Sequence, residues 1–202
     1  MLKVLFLSSI VALTTGCAAA KLSRGPDTYA LTRYPDAVRI GVAKVLDERG
    51  GHKVGTIGAT VIFVKKELAD LTTNYLIHHL NSNLRANVEQ VIVTSPDEIP
   101  SEAAKNNVEG IVLARINRLR MFSIDALMQP VEVELSLDVE VYDRNGLRVY
   151  KESFMGHHEK RIGITLVEHS TGKLVEAAVL DAMNNLVKDP GFKKSIASLR
   201  PV

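Results

Sequence analysis

A strict alternation of apolar and polar residues between positions 131 and 143 is the clearest pattern in the chain. Side chains along a β-strand point to opposite faces in turn, so a strand with one face on a core and one in water is predicted over Val131–Asp143. Residues 143–146 suit a type I turn with Gly146 in the left-handed conformation, so residues 147–158 are expected to pair back. The alternating apolar positions are Val131, Val133, Leu135, Leu137, Val139 and Val141.

Four further extended segments are predicted upstream, and a turn separates the first two. Residues 38–47 and 53–64 flank Arg49-Gly50-Gly51-His52, which is a turn signal, so the second segment is expected to return alongside the first. The other two predicted strands are residues 88–94 and Gly110–Ser123.

Two long segments carry the three-to-five-residue spacing of amphipathic helices. The first covers residues 66–85 and the second residues 173–188, with Gly172 just before its start. A short helix is expected over 101–106 with Ser101 as its cap, and another begins at Pro190 with Asp189 as its cap. The pattern predicts an α+β fold, with two main helices packed on one face of a mostly antiparallel sheet of four to six strands.

The first seventeen residues have the layout of a secretory signal peptide. Lys3 is followed by about ten apolar residues, too few for a membrane span, which needs roughly 20. Residues 13–17, Leu-Thr-Thr-Gly-Cys, resemble the bacterial lipobox, in which a peptidase cleaves between Gly16 and Cys17 and the cysteine carries palmitate-type acyl chains. Thr14 stands where leucine is usual. The alternative is an uncleaved helix with a buried free cysteine.

This resemblance implies an address for the mature protein. Residues 1–16 would be the lipoprotein signal peptide, 17–36 the lipidated Cys17 and a flexible tether, and 37–202 a single periplasmic α+β domain. Ala18 stands where an inner-membrane retention signal would usually have aspartate, which implies the periplasmic face of the outer membrane of a Gram-negative cell. A tether over residues 18–34 spans at most about 55 Å, so the domain would work close to its membrane.

Composition and motifs argue against several classes of function. The net charge of +2 over 202 residues gives no long-range field for nucleic acid. No serine lies in a G-x-S-x-G motif, and the adjacent histidines, His78 and His79, would point about 100° apart on a helix. We expect no enzyme activity, no metal site and no cofactor. The one cysteine cannot form an internal disulfide.

Two groups of residues are candidates for binding. Arg118 and Arg120 share one face of a predicted strand and could contact an anionic envelope ligand. The alternative is cross-strand pairing, with Arg120 opposite Glu132 and Arg118 opposite Glu134.

The second candidate is the connection between the two longest predicted strands, which is more apolar than a solvated loop. It either folds back on the core or contacts a protein or envelope partner. Its apolar residues are Phe122, Ile124, Leu127 and Met128.

Several of these segments together resemble the YajG-like family of outer-membrane lipoproteins, in addition to the lipobox. The resemblance implies a non-catalytic binding or accessory subunit and carries no catalytic residues to this chain. The segments are Ile40-Gly41-Val42, residues 54–58, Gly110-Ile111-Val112, residues 139–143 with Gly146 and Tyr150, and Asp181, Leu186 and Asp189-Pro190.

Two other functions are open. The order of elements also resembles the lipoprotein subunit that plugs an outer-membrane barrel in lipopolysaccharide export (LptE-like). A function from a different class is an envelope hydrolase with a site that the sequence does not reveal.

Overall fold

The structure of the protein is a computed structural model that describes residues 17–28, 31–57, 60–65, 67–123, 130–161 and 167–199. Within them, the chain forms one nine-stranded mixed sheet and four α-helices. The α+β class is therefore confirmed, whereas the predicted sheet of four to six mostly antiparallel strands is wrong. The strands are β1 (Cys17–Ala19), β2 (Arg39–Ala43), β3 (Leu46–Asp47), β4 (Lys53–Ile57), β5 (Thr60–Phe63), β6 (Asn87–Val91), β7 (Gly110–Ser123), β8 (Val131–Asp143) and β9 (Arg148–Lys160). The helices are α1 (Glu67–Leu84), α2 (Ile99–Asn106), α3 (Val167–Lys188) and α4 (Pro190–Ser198).

The long strand β7 lies at the centre of the sheet. One of its edges pairs antiparallel with β8, which pairs antiparallel with β9. Its other edge pairs in parallel with β2, then β3, then β4. Beyond these, β6 joins β2 in parallel, β5 joins β4 antiparallel, and β1 joins β5 in parallel.

The predicted reversal at residues 49–52 does not occur. Because β2, β3 and β4 all run parallel to β7, residues 48–52 are an excursion of a chain that continues in the same direction. The reversal comes after Ile57, and it divides the predicted segment 53–64 into β4 and β5. Glycines adjacent in sequence signal a turn of some kind, but they do not say whether the chain reverses.

The register between β7 and β8 differs by two residues from the predicted one. Arg120 lies opposite Glu134, and Arg118 lies opposite Ser136, with a bulge at residue 117. A shift of two residues keeps every side chain on its predicted face, so the hydrophobic pattern cannot distinguish the two registers.

The two long helices share one face of the sheet, as predicted. Helix α3 packs over the apolar residues of β8, which are fully buried, and α1 packs beside α3 against β2, β3 and β6. Helix α2 covers part of the opposite face with a second, smaller apolar cluster that includes Ile99, Ala103 and Tyr142. The core is therefore double-sided at the end of the sheet where β7 begins.

The starts of helices α2 and α3 differ from the predicted ones. Helix α3 begins at Val167, so Gly172 lies inside it rather than before it. A Cβ on Gly172 would lie 2.0 Å from the carbonyl oxygen of Lys21, so the glycine permits a close approach of the N-terminal segment. Before α2, Ser95 and Glu98 form a capping box around a 3₁₀ turn, and Ser101 is not the cap.

The C-terminal hairpin and the last helix follow the prediction. Gly146 has a φ of 83°, and its N–H donates to Asp143 O at 3.0 Å. Asp189 caps α4 by accepting from the Phe192 N–H at 2.6 Å, with Pro190 in the first turn. The Tyr150 hydroxyl donates to the same carboxylate at 2.7 Å, which ties β9 to α4.

Candidate functional site

A groove of about 590 Å³ opens between β7 and the 48–52 excursion. We call it the basic groove, because its lining contains four cationic side chains and no carboxylate. Its lining residues are Arg49, Gly50, Gly51, Lys53, Val54, Gly55, Asn117, Arg118, Leu119 and Arg120.

The basic groove exists because the sheet is interrupted along one edge of β7. Strand β3 pairs as far as Ile116, and β4 resumes pairing only at Met121. Residues 117–120 of β7 pair with no described strand on that edge, where the chain leaves the sheet in the 48–52 excursion. The bulge at Asn117 falls in the same interval and adds local twist to the strand.

Arg49 is the buried cation of the basic groove. Its side chain is 5% exposed, and its Nε and Nη2 each donate to the Asp47 carboxylate at 2.7 Å. Nη2 also donates to Val64 O at 3.2 Å, while Nη1 is buried without a hydrogen-bond partner. A buried donor left unsatisfied costs about 1–3 kcal/mol, so an acceptor at this atom would be stabilising.

Three further cations around the basic groove are exposed and carry no compensating charge. Arg118 and Arg120 project from the same face of β7, and Lys53 begins β4. Among the residues that the structure describes, none forms an ion pair with these three side chains. The predicted pairing of Arg120 with Glu132 and Arg118 with Glu134 is therefore wrong, because the register places other residues opposite them.

This arrangement suits a doubly charged or larger anion with oxygen acceptors. Guanidinium groups donate in a planar fork that matches phosphate and carboxylate oxygens, and two of them project together from β7. The glycines at 50 and 51 leave the opposite wall without side chains, and a Cβ at either position would contact nothing within 4 Å.

Arg115, on the same strand, belongs to a different cluster. Its Nε lies 3.3 Å from Glu48, and its Nη1 lies 3.3 Å from the buried Glu140. Glu140 also contacts Arg148 at 3.3 Å and Lys151 at 3.0 Å. These contacts satisfy the charge of Arg115 within the fold, so it is not available to the basic groove.

The Glu140 carboxylate is held in its charged form. Burial alone would raise its pKa, but hydrogen bonds from Tyr142 and Lys151 and the charge of Arg115 outweigh burial and lower the pKa below its ordinary value. The Tyr142 hydroxyl donates to Glu140 at 2.8 Å, and burial together with this bond raises the pKa of Tyr142. The charges of this cluster are therefore satisfied within the fold.

Cys17 is exposed and is the first residue of β1. The register runs across the sheet from Cys17 to Val61, from Val61 to Thr56, and from Thr56 to Phe122. Cys17 therefore lies three strand spacings, about 14 Å, from Phe122. The same end of the sheet, which we call the Cys17 end, is formed by Cys17, Ile57, Ser123, Val131 and Lys160.

The described residues that follow Cys17 are packed against the domain, whereas the sequence predicts a flexible tether. Ala18 is buried, and the Ala20 N–H donates to Phe63 O at 2.8 Å. Side-chain amides satisfy the irregular backbone that follows: Asn74 donates to Arg24 O at 2.7 Å, and Asn81 donates to Thr32 O at 2.7 Å. Single asparagine contacts of this kind leave no periodic signal in the sequence.

Of the four residues predicted as a partner surface, the structure describes one. Phe122 is 43% exposed and lies on the same face of β7 as Arg120. Ile124, Leu127 and Met128 lie outside the described residues.

The described residues contain neither a metal-binding cluster nor a membrane-spanning helix. Among these residues, no three His, Cys, Asp or Glu side chains are close enough to hold a metal ion. None of the helices in the described ranges is both long enough and apolar enough to span a bilayer.

A second cavity of about 470 Å³ contains Arg39 and Glu89. These two side chains pair with each other at 3.2 Å, and Glu89 places a carboxylate in a lining that also contains Arg33, whereas the lining of the basic groove has no carboxylate. For this reason we regard the basic groove as the better candidate for an anion.

Sequence reasoning identified half of the basic groove. Arg118 and Arg120 were identified from their spacing, while Arg49 and Lys53 are about 65 residues away along the chain. A sequence signal for these two residues does exist, because Arg49 and Lys53 flank the Gly50-Gly51 turn. It becomes informative only once this segment is placed beside β7.

Solved structures share this fold at low sequence identity. The hypothetical protein CT253 from Chlamydia trachomatis is 11% identical with a TM-score of 0.51, over 75% of this chain and 96% of that chain. A structure described as a neuraminyllactose-binding hemagglutinin homolog from Helicobacter pylori is 10% identical with a TM-score of 0.51, over 89% and 98%. Lipoprotein GNA1162 from Neisseria meningitidis is 11% identical with a TM-score of 0.46, over 75% and 99%. No family model and no curated protein matches this chain.

Proposed function

We propose that this chain is a bacterial lipoprotein, acylated on Cys17 and held at the periplasmic face of the outer membrane. The observation that carries the proposal is that the lipobox cysteine is also the first residue of β1 and is exposed. Acyl chains on an exposed sulfur at the edge of a sheet can enter a bilayer without displacing core residues. Two or more chains would anchor the domain stably, since one chain binds only marginally.

In this proposal the domain is a non-catalytic binding or accessory subunit of an envelope assembly. The basic groove supports a binding role, because its cations can hold an anion and its lining contains no nucleophile or titratable acid. The YajG-like resemblance agrees with such a role. The LptE-like barrel plug remains the alternative assembly, and no contact among the described residues favours it over the first.

Metabolic labelling with radioactive palmitate in a Gram-negative host tests the anchor. We expect the full chain to be labelled and to fractionate with outer-membrane vesicles on a density gradient. Cys17→Ser should lose the label, because no other thiol is present. Thr14→Leu, which restores the usual lipobox residue, is the matched control and should be labelled at least as well as the natural chain.

Two results would contradict this assignment. Equal labelling of the Cys17→Ser chain would show that the acyl group is elsewhere. A labelled chain found in the inner membrane would disprove the outer-membrane address while leaving the lipid anchor in place.

A further inference from the structure

The basic groove and the lipid anchor lie toward the same end of the sheet. Phe122 is in register with Cys17 across three strand pairings, and Arg120 precedes Phe122 by two residues on the same face. At about 3.3 Å per residue, Arg120 is roughly 7 Å and Arg118 roughly 13 Å along β7 from that row. The backbone positions of these two arginines are thus within about 20 Å of that of Cys17.

We propose that the basic groove binds the phosphate group of an anionic lipid headgroup in the membrane that holds Cys17. The placement of the membrane in this proposal rests on the acylation proposed above. The binding chemistry rests on the basic groove itself, with its buried Arg49 and its exposed Lys53, Arg118 and Arg120.

The local charge supports a phosphate ligand even though the whole chain is close to neutral. The chain carries a net charge of +2, so no long-range field draws it to anionic surfaces. The lining of the basic groove has four cations and no carboxylate, and the adjacent Asp47 is already paired with Arg49. A basic residue close to an anionic leaflet is attracted within about one Debye length, roughly 8 Å at physiological salt.

One further feature favours a lipid headgroup over a soluble anion, and another favours a phosphate group from either source. Phe122 is 43% exposed on the same face as Arg120, which is costly in water but favourable at a membrane interface. Arg49 keeps a buried Nη1 without a partner beside the exposed cations. A headgroup phosphate that enters the basic groove would meet donors from both of its walls.

The acidic neighbours of the basic groove are placed so that they do not neutralise it. Glu134 lies opposite Arg120 in the register and Glu132 lies opposite Phe122. Neither forms an ion pair with an arginine of the basic groove, and Glu132 lies 4.0 Å from His157 instead. These two glutamates would disfavour deep burial of the whole face in the bilayer. Contact between the basic groove and headgroup phosphates is the way of binding a membrane that remains compatible with their charges.

Co-sedimentation with lipid vesicles tests the proposal. Acyl chains would bring the protein onto any vesicle, so the measurement uses the mature chain from residue 17 with Cys17→Ser. Vesicles contain either phosphatidylcholine alone or phosphatidylcholine with 30% phosphatidylglycerol. We expect binding only to the anionic vesicles, and a loss of roughly tenfold or more in the double variant Arg118→Gln/Arg120→Gln.

A charge-matched variant separates the basic groove from general electrostatics. Lys105→Gln/Arg144→Gln removes two exposed cations near the end of the sheet opposite Cys17 and should leave binding within about twofold of the parent. Both double variants change exposed side chains, and thermal unfolding monitored by circular dichroism checks that each is folded.

Three outcomes would overturn the proposal. Equal loss of binding in both double variants would indicate non-specific attraction. Equal binding to neutral and anionic vesicles would remove the role of phosphate charge. In the third outcome, millimolar pyrophosphate displaces the protein from vesicles, and calorimetry without vesicles gives pyrophosphate an affinity that accounts for the displacement. This result would reassign the basic groove to a soluble phosphate compound. None of these results bears on palmitate labelling of Cys17, so the two proposals fail separately.

Discussion

At the scale of single residues, Glu140 is the most heavily paired charge among the described residues. Its side chain is 5% exposed and contacts Arg115, Arg148, Lys151 and the Tyr142 hydroxyl. Burying a charged carboxylate costs free energy unless cations and hydrogen-bond donors surround it. The carboxylate in turn fixes the positions of those partner side chains. The network holds Arg115 away from the basic groove and leaves the neighbouring arginines free.

We expect Glu140→Gln to lower the free energy of unfolding by about 1.5–3 kcal/mol at pH 7, because three cations lose the negative charge that they share. The folded pKa of Glu140 lies below its unfolded value, so its contribution is complete above about pH 4.3 and declines as the pH falls through the folded pKa. Urea unfolding at pH 7 and near pH 3.5 measures this, and the difference between the two proteins should shrink at the lower pH.

The exposed Glu159, on the same face of the sheet, provides the control for Glu140. Glu159→Gln should change stability by less than about 0.5 kcal/mol at either pH. A Glu140→Gln protein as stable as the natural chain would show that the network contributes no net stability.

At the scale of elements, helix α3 covers the outer edge of the sheet. Asp181 accepts from the His157 N–H at 3.0 Å, and Asn185 donates to Met155 O at 2.9 Å, so side chains of α3 satisfy the free edge of β9. An unpaired edge would invite pairing with another chain. The helix comes close enough only because residue 156 is glycine, where a Cβ would lie 1.9 Å from Ala178 O.

We expect Gly156→Ala to destabilise the protein by about 2–3 kcal/mol, because α3 must move away from β9. Unfolding in urea followed by circular dichroism measures the change. The matched control is Gly50→Ala, where the added methyl contacts nothing within 4 Å and the effect should stay within about 0.5 kcal/mol. If the two variants had equal stability, the close approach of α3 to β9 would be contradicted.

The sequence predicted the elements well wherever one face of an element decides its pattern. Strand β8 alternates without exception and was predicted with its observed bounds, and α1 and α4 begin close to their predicted starts. Pairing partners were harder, because β2, β3 and β4 reach β7 through contacts 66–70 residues apart. No local pattern records which distant strand a segment joins, nor whether it joins in parallel.

At the scale of the whole molecule, the N-terminal segment is part of the domain. The described residues between 17 and 28 join the sheet through β1 and then pass over α3 at Gly172, where Lys21 O occupies the space of a side chain. Ser23, Gly25 and Pro26 break any regular pattern in this segment, so its sequence predicts a tether. The contacts that hold it come from β5, from Asn74 on α1 and from Glu176 on α3, and no local pattern in the sequence records them.

We expect Gly172→Ala to displace this segment while leaving the rest of the domain folded. The new methyl would lie 2.0 Å from Lys21 O, although alanine favours a helix by about 1 kcal/mol over glycine. Limited proteolysis with trypsin should cleave after Lys21 and Arg24 several-fold faster than in the natural chain, as read by mass spectrometry. Gly51→Ala is the control, and an unchanged cleavage rate in Gly172→Ala would contradict the docked position of the segment.

Under the proposed acylation, the position of Cys17 on β1 sets how far the molecule extends from a membrane. With such an anchor on the first strand and no slack behind it, the long strands would rise from the bilayer at the Cys17 end. Fourteen residues of β7, at about 3.3 Å each, then place the β8–β9 turn up to about 45 Å above the lipid. Leu147, 66% exposed at that turn, would face the space beyond the membrane. Under the same proposal, the chain would act as a spacer of fixed height between a lipid-facing end and a distal end.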